Sequence, residues 1–180
     1  MPKFLEKIDD KIRKFIGEQK MFFTASAPND GRINLSPKGV DTFRCLDENT
    51  VCYLDLTGSG NETAAHVLEN GRLTVMFCSF SGAPLILRLY GKGEVVRQSS
   101  EKWNALSTNF EPLFGTRQIS VLHVESLQTS CSFGIPLYEY REDRSTLIDW
   151  AKNKGDEGVN RYWQENNQTS IDGLPTGIFD

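Results

Sequence analysis

The sequence predicts a mainly β protein, an antiparallel barrel with flanking helices, and three observations carry that prediction. Short apolar runs recur along the chain: MFFTASA (21–27), VCYLDL (51–56), RLTVMFCSF (72–80) and LILRLYGKGEVV (85–96). Several of them are joined by tight-turn chemistry, PNDG (28–31), DENT (47–50) and SGAP (81–84). Helical spacing is confined to a few segments and does not alternate with strands, as a doubly wound sheet would require.

Taken in order, residues 3–18 place Phe4, Ile8, Ile12, Phe15 and Ile16 at three- and four-residue spacing with charges between them. That pattern predicts an amphipathic N-terminal helix within 1–19, closed at Gly17 or shortly after. MFFTASA then reads as a strand and RINLS (32–36) as its return. Pro37 and Gly39 are expected to break that strand, and VDTFRCL (40–46) to resume it. RLTVMFCSF and LILRLYGKGEVV follow as a strand pair across SGAP. SSEKWNALSTNF (99–110) offers a Ser at the N-cap and Glu101 in the first turn of a helix. QISVLHVESLQTSC (118–131) sets Ile119, Val121, His123 and Glu125 against Leu122 and Val124, a long strand. Residues of about 143–166 read as helix through Leu147, Ile148, Trp150, Ala151 and Trp163, interrupted at Gly155 and Gly158, and SIDGLPTGIFD (170–180) has no period. The expected organisation is one domain: helix 1–19, barrel 20–131, helical C-terminal extension 132–180.

With 180 residues, 38% of them hydrophobic and 24% charged, the chain is long and apolar enough to bury a core without metal or disulfide staples. A net charge of -4 argues against a nucleic-acid partner, which wants a basic face. No apolar run approaches the roughly 20 residues that span a bilayer. MPKFLEKIDDKIRKFIGEQ is charged throughout and has no apolar signal core, so a cytoplasmic location is expected. Cys45, Cys52, Cys78 and Cys131 form no CxxC pair and have no His at ligand spacing, so no metal site is expected. The first three sit in apolar runs as small hydrophobes, whereas Cys131 lies in a turn-like segment.

TGSGNETAAHVLEN (57–70) leads from an apolar run into the first turn of a short helix. It is not a Walker loop, which would end in Gly-Lys-Ser/Thr where Asn61-Glu62-Thr63 stands, nor a dinucleotide fingerprint, whose third glycine is replaced by Thr63. Two readings stay open. The backbone amides of 59–63, the hydroxyls of Thr57, Ser59 and Thr63 and the helix dipole suit a monophosphate. Alternatively, Ser59 or Asn61 simply caps the helix. A phosphate also wants a fixed cation, and Lys38, at the Pro-Gly break, and Arg88, inside LILRLY, are the candidates. Lys38 could equally be a surface lysine, and Arg88 an outward position alternating with Leu87 and Leu89.

FFTASAPNDGRINLSPKGVDTF, VCYLDLTGSGNETAAHVLENGRLTVMF and PLILRLYGKGEVV, in this order and spacing over residues 18–98, resemble the pyridoxamine 5'-phosphate oxidase-like flavoproteins, the FMN-binding split-barrel family. QTSCSFGIPLYEY (128–140) and SIDGLPTG resemble one branch of that family. The resemblance implies an antiparallel split β-barrel and a homodimer with FMN at the subunit interface. It implies that Ser36 and Lys38 approach FMN from the second strand, that Thr57, Ser59, Gly60, Asn61 and Thr63 take its phosphate and ribityl end, and that Arg88 reaches it from its own strand. Cys131 to Ile135 would wall the partner subunit's ring. Two departures matter: the oxidase's basic phosphate signature is reduced here to INLSPK, and its basic, tryptophan-containing C-terminal segment is not evident in LPTGIFD. Both put vitamin B6 oxidation in doubt.

The expected function is therefore an FMN-dependent oxidoreductase acting on an unidentified small molecule. The alternatives are a non-catalytic flavin-binding protein and a split barrel holding haem or another cofactor. His66 and His123 read as packed or surface histidines, and no Ser-His-Asp or Cys-His arrangement suggests a separate nucleophile.

Overall fold

The computed structural model describes residues 3–180. Its elements in chain order are β1 (Lys3–Leu5), α1 (Asp10–Glu18), β2 (Phe22–Ser26), β3 (Asn34–Lys38), β4 (Phe43–Cys45), β5 (Thr50–Leu56), α2 (Glu62–Asn70), β6 (Arg72–Cys78), β7 (Ile86–Val96), α3 (Lys102–Ser107), β8 (Thr116–Ser130) and α4 (Thr146–Asn166). The eight strands form one antiparallel sheet in the order β3-β2-β6-β7-β8-β5-β4, with β1 on β8. The sheet curls into an open half-barrel, the split barrel the sequence predicts.

The central strands are covered on both sides, which is why VCYLDL reads as a continuous apolar run. Val51 and Tyr53 of β5 face one cluster, with Phe22, Leu73, Val75, Phe77, Leu87, Leu89 and Leu122. Cys52, Leu54 and Leu56 face a second, with Val96, Ile119 and Val121, over which Trp103, Leu106 and Ile148 pack. Ile8, Ile12 and Ile16 close the first cluster, and the Asp9 carboxylate caps α1 by accepting from Ile12 N at 2.8 Å.

Three expectations change. The N-terminal helix begins at Asp10, whereas residues 3–5 form β1 and leave Phe4 69% exposed. Residues 1 and 2 lie outside the described residues. The cause is β8: its pairing with β5 ends at His123, and β1 takes up the backbone groups of Leu127–Thr129 beyond it. Second, Pro37 does not end β3 but pairs opposite Phe23 within it, which an edge strand allows because its outer N–H row needs no partner. Third, α4 breaks from helical geometry at Gly155 (φ 64, ψ 171), whereas Gly158 stays within the helix.

Gly91 sits where the β7–β8 register shifts. A Cβ there would lie 1.9 Å from the His123 carbonyl oxygen, so β8 approaches as closely as only glycine permits. Gly91→Ala is expected to cost about 1–3 kcal/mol in urea unfolding. Gly134→Ala, with nothing within 4 Å of its Cβ position, should stay within about 0.5 kcal/mol of the parent.

Candidate functional site

β3 is an edge strand whose Asn34, Ser36, Pro37 and Lys38 line one space while Leu35, 64% exposed, faces away from it. Opposite them stands Asp55, next to the end of β5 at Leu56, after which the glycine-rich link to α2 begins. Between these elements lies a cavity of about 610 Å³, walled further by Arg117, Asn166, Thr169, Ser170 and Ile171. Its size falls within the range of about 300–1,000 Å³ usual for small-molecule sites.

Asp55 anchors the floor of the cavity. Its carboxylate is 3% exposed and accepts from Lys38 Nζ at 2.7 Å, Arg117 Nη2 at 2.8 Å and Gln118 Nε2 at 2.8 Å. A bulge delivers two of these donors. Asp55 pairs with Gln118 and Leu56 with Thr116, so Arg117 is the extra residue of β8, and an extra residue lets a strand aim consecutive side chains toward one site. Burial opposes ionisation of Asp55, but the Lys38 ammonium and Arg117 guanidinium outweigh it and hold the carboxyl well below its usual range. Burial likewise opposes the charge on Lys38, yet Asp55 raises its pKa above the usual lysine value. Two cations thus share Asp55, and with the Glu62 carboxylate also in the lining the formal charges around the cavity balance.

The start of α2 completes the wall. Asn61 occupies the N-cap position but makes no side-chain cap; its Oδ1 accepts from Gln118 Nε2 at 2.9 Å. The simple-cap reading of the loop therefore does not describe Asn61. Asn61 Nδ2 and Arg117 Nε are buried N–H donors with no acceptor in the protein, and both residues line the cavity. Glu62 adds a carboxylate to the lining, held by Ile171 N at 3.1 Å. Asn167, fully buried, accepts from Arg117 Nη1 at 2.8 Å and donates to the Gly58 carbonyl at 3.2 Å.

Of the residues the sequence nominated, the structure gathers Ser36, Lys38, Ser59, Gly60, Asn61 and Thr63 around the cavity. Thr57 sits behind the lining, its hydroxyl donating to Gly115 O and accepting from Trp163 Nε1, both at 2.8 Å. Arg88 is absent from the lining: it alternates with the fully buried Leu87 and Leu89 and reaches Ser130 Oγ at 3.3 Å on the other face of β7. Sequence reading missed Asp55, Arg117, Gln118 and Asn167. A lone acid in VCYLDL was the available signal for Asp55, whereas nothing local marked Asn167. His66 is buried against Ser26 Oγ at 3.0 Å, and His123 is exposed beside Glu94. Among the described residues no group of three His, Cys, Asp or Glu is placed to hold a metal ion, and no helix is long and apolar enough to cross a membrane.

Because the folded pKa of Asp55 is depressed, its stabilisation is fully present above the unfolded carboxyl value of about 3.9 and is lost as pH falls through the lower folded value. Asp55→Asn is expected to destabilise the protein by about 3–5 kcal/mol at pH 7, since it leaves buried cations uncompensated. Unfolding curves recorded between pH 7 and pH 2 should also show a shallower loss of stability in acid for the variant than for the parent.

Residues 8–131 match the family model described as Pyridoxamine 5'-phosphate oxidase. The chain is 36% identical over 195 residues to the pyridoxamine 5'-phosphate oxidase family protein ustO of Aspergillus flavus, a match covering 97% of this chain and 78% of that one. Among solved structures it is similar to HupZ of Group A Streptococcus, with a TM-score of 0.53 and 20% identity over 67% of this chain and 91% of that one. It is also similar to the FAD binding protein from Mycobacterium smegmatis, with a TM-score of 0.50 and 12% identity over 70% and 97% of the two chains. At such identities these two likenesses speak for the fold alone. The family match spans the barrel and the curated relative nearly the whole chain, and the protein belongs to the pyridoxamine 5'-phosphate oxidase family.

Proposed function

We propose that this chain is an FMN-dependent oxidoreductase acting on a small molecule, with the flavin phosphate seated at the start of α2. The observation that carries the reading is the pair of buried donors, Asn61 Nδ2 and Arg117 Nε, that lack an acceptor beside a cavity also lined by Lys38 and the start of α2. A phosphate supplies acceptors to such donors and gains from the first amides of a helix. Family membership supports the same reading. Haem is less well served here, since the lining contains no His, Cys, Met or Tyr to ligate iron.

In this reading Lys38 balances the phosphate charge, while Ser36, Ser59 and Thr63 offer hydroxyls along the cavity. Arg117 is held by Asp55, Asn167 and the Gly60 carbonyl, so its unpaired Nε–H is fixed in place before any ligand arrives. Glu62 opposes an anion and makes the site weaker than its amides alone would allow. FMN supplies hydride transfer, and the protein sets geometry and water access. The chain is further proposed to act as a homodimer that shares the flavin between subunits. Reduction by NADH or NADPH in stopped flow, with reoxidation by a specific acceptor outrunning that by oxygen, separates an enzyme from a passive flavin binder.

Two substitutions should move FMN affinity in opposite directions in calorimetric titration. Lys38→Ala is expected to weaken binding by about 1.5–3 kcal/mol, the range for a hydrogen bond to a charged group. Glu62→Gln should tighten it by about 0.2–1 kcal/mol, the scale of one exposed charge interaction. Unchanged affinity in both would place the phosphate elsewhere. Sedimentation of the flavin-loaded protein as a monomer would refute the shared site.

A further inference from the structure

A second cavity, of about 720 Å³, lies on the far side of Pro37 and Lys38, and these two residues line both spaces. One wall comes from the barrel, through Met21, Val40 and Phe80; the other is the irregular segment between β8 and α4, through Tyr138 and Tyr140. That segment is fastened rather than loose. Tyr138 N donates to the Phe80 carbonyl at 2.8 Å, the two rings lie 5.4 Å apart at 36°, and Lys20 Nζ sits 5.5 Å from the Tyr140 ring centroid. Even so, Tyr138 remains 63% exposed and Tyr140 50% exposed. Two aromatic side chains are thus fixed at their backbone or by a cation with ring area still open to a ligand.

The charges of this lining cancel, four basic side chains against four acidic ones. Lys38, one of the four basic ones, pairs with Asp55 on the side of the first cavity. The first cavity adds buried N–H donors without acceptors to its balanced charges, whereas no such donor lines the second. What it offers is ring faces and apolar surface, and these recognise a planar molecule through stacking and burial.

We infer that the cavity formed by Phe80, Tyr138 and Tyr140 is a second small-molecule site, taking an uncharged planar aromatic compound next to the ligand of the first cavity, with Lys38 at the boundary. The inference rests on the flavin reading for the role of that compound, as the partner that exchanges electrons with the cofactor, but the binding itself does not. The segment that builds the site lies beyond residue 131, outside the region matched by the family model. The site therefore joins a barrel wall inside that region to a wall from the segment that follows it.

N-phenyl-1-naphthylamine, an uncharged aromatic dye whose fluorescence rises on leaving water, tests the site by titration of the full chain with and without FMN. The dye should bind the parent protein, and Tyr138→Ala should weaken binding by about 3- to 10-fold, the effect of one aromatic contact. Tyr138→Phe, which keeps the ring, should bind as the parent does. Phe133→Ala, at a residue 83% exposed and outside the lining, should also leave binding unchanged. Thermal melting of each variant verifies that it is folded. No dye binding, equal weakening by Phe133→Ala, or indifference to Tyr138→Ala overturns the inference. So does loss of dye binding as protein concentration rises, which would mean that a second copy covers the cavity. Flavin affinity is read separately: a chain that binds no FMN but binds the dye in a Tyr138-dependent way keeps the second site and discards the flavin reading.

Discussion

Asp55 carries a charge at 3% side-chain exposure, where an unpaired carboxylate would cost several kcal/mol in lost hydration. It stays ionised because Lys38, Arg117 and Gln118 all donate to it. The donors come from β3 and β8, which stand far apart in strand order, and the acceptor comes from the end of β5. An ion cluster of this kind adds little net stability compared with an apolar core of the same volume, but it tolerates no missing member. It therefore fixes where the curled edge strand meets the middle of the sheet. The cavity is the space left over once that meeting point is set.

The same cluster passes its order outward through neutral amides. Gln118 joins Asp55 to Asn61, so the first residue before α2 is held from the sheet rather than by its own helix. Gln118 Oε1 in turn accepts from Arg97, which also donates to the Gly177 and Thr176 carbonyls of the C-terminal segment. Burial and the nearby Arg117 charge bring the Arg97 pKa down to about 10, so this guanidinium is still protonated at neutral pH. Arg117 reaches the tail a second time through Asn167. Polar side chains that would be liabilities singly hold one another, apart from Asn61 Nδ2 and Arg117 Nε, which have no acceptor.

Much of the barrel was legible because its strands announce themselves by apolar runs and turn chemistry. β2, β5, β6 and β7 appear within a residue or two of their sequence boundaries. The N-terminal pattern misled because Phe4 falls at helical spacing by coincidence, while the need that decides its structure, open backbone groups on β8, lies more than 120 residues away. In the site, the glycine loop and Lys38 were visible as local motifs. Arg117 was not, since a bulge turned it inward against the alternation that begins at Gln118. Asn167 sits at the end of α4 without any pattern around it; only the folded chain shows what it serves. Arg88 was the converse case, a charge conspicuous in an apolar run yet directed to the outer face.

Thr57 and Trp163 share a hydrogen bond across 106 positions, Arg117 and Asn167 another across 50, and Thr176 closes on the Asn167 carbonyl. During synthesis the barrel strands leave the ribosome long before those partners exist. A nascent chain that has reached residue 131 holds every strand, but its buried guanidinium still lacks Asn167. Maturation of the cavity is in this way tied to the stretch translated after the barrel, and a ribosome stalled before that stretch would expose a nearly complete sheet with an unsealed ionic centre, the kind of intermediate that chaperones and proteases recognise.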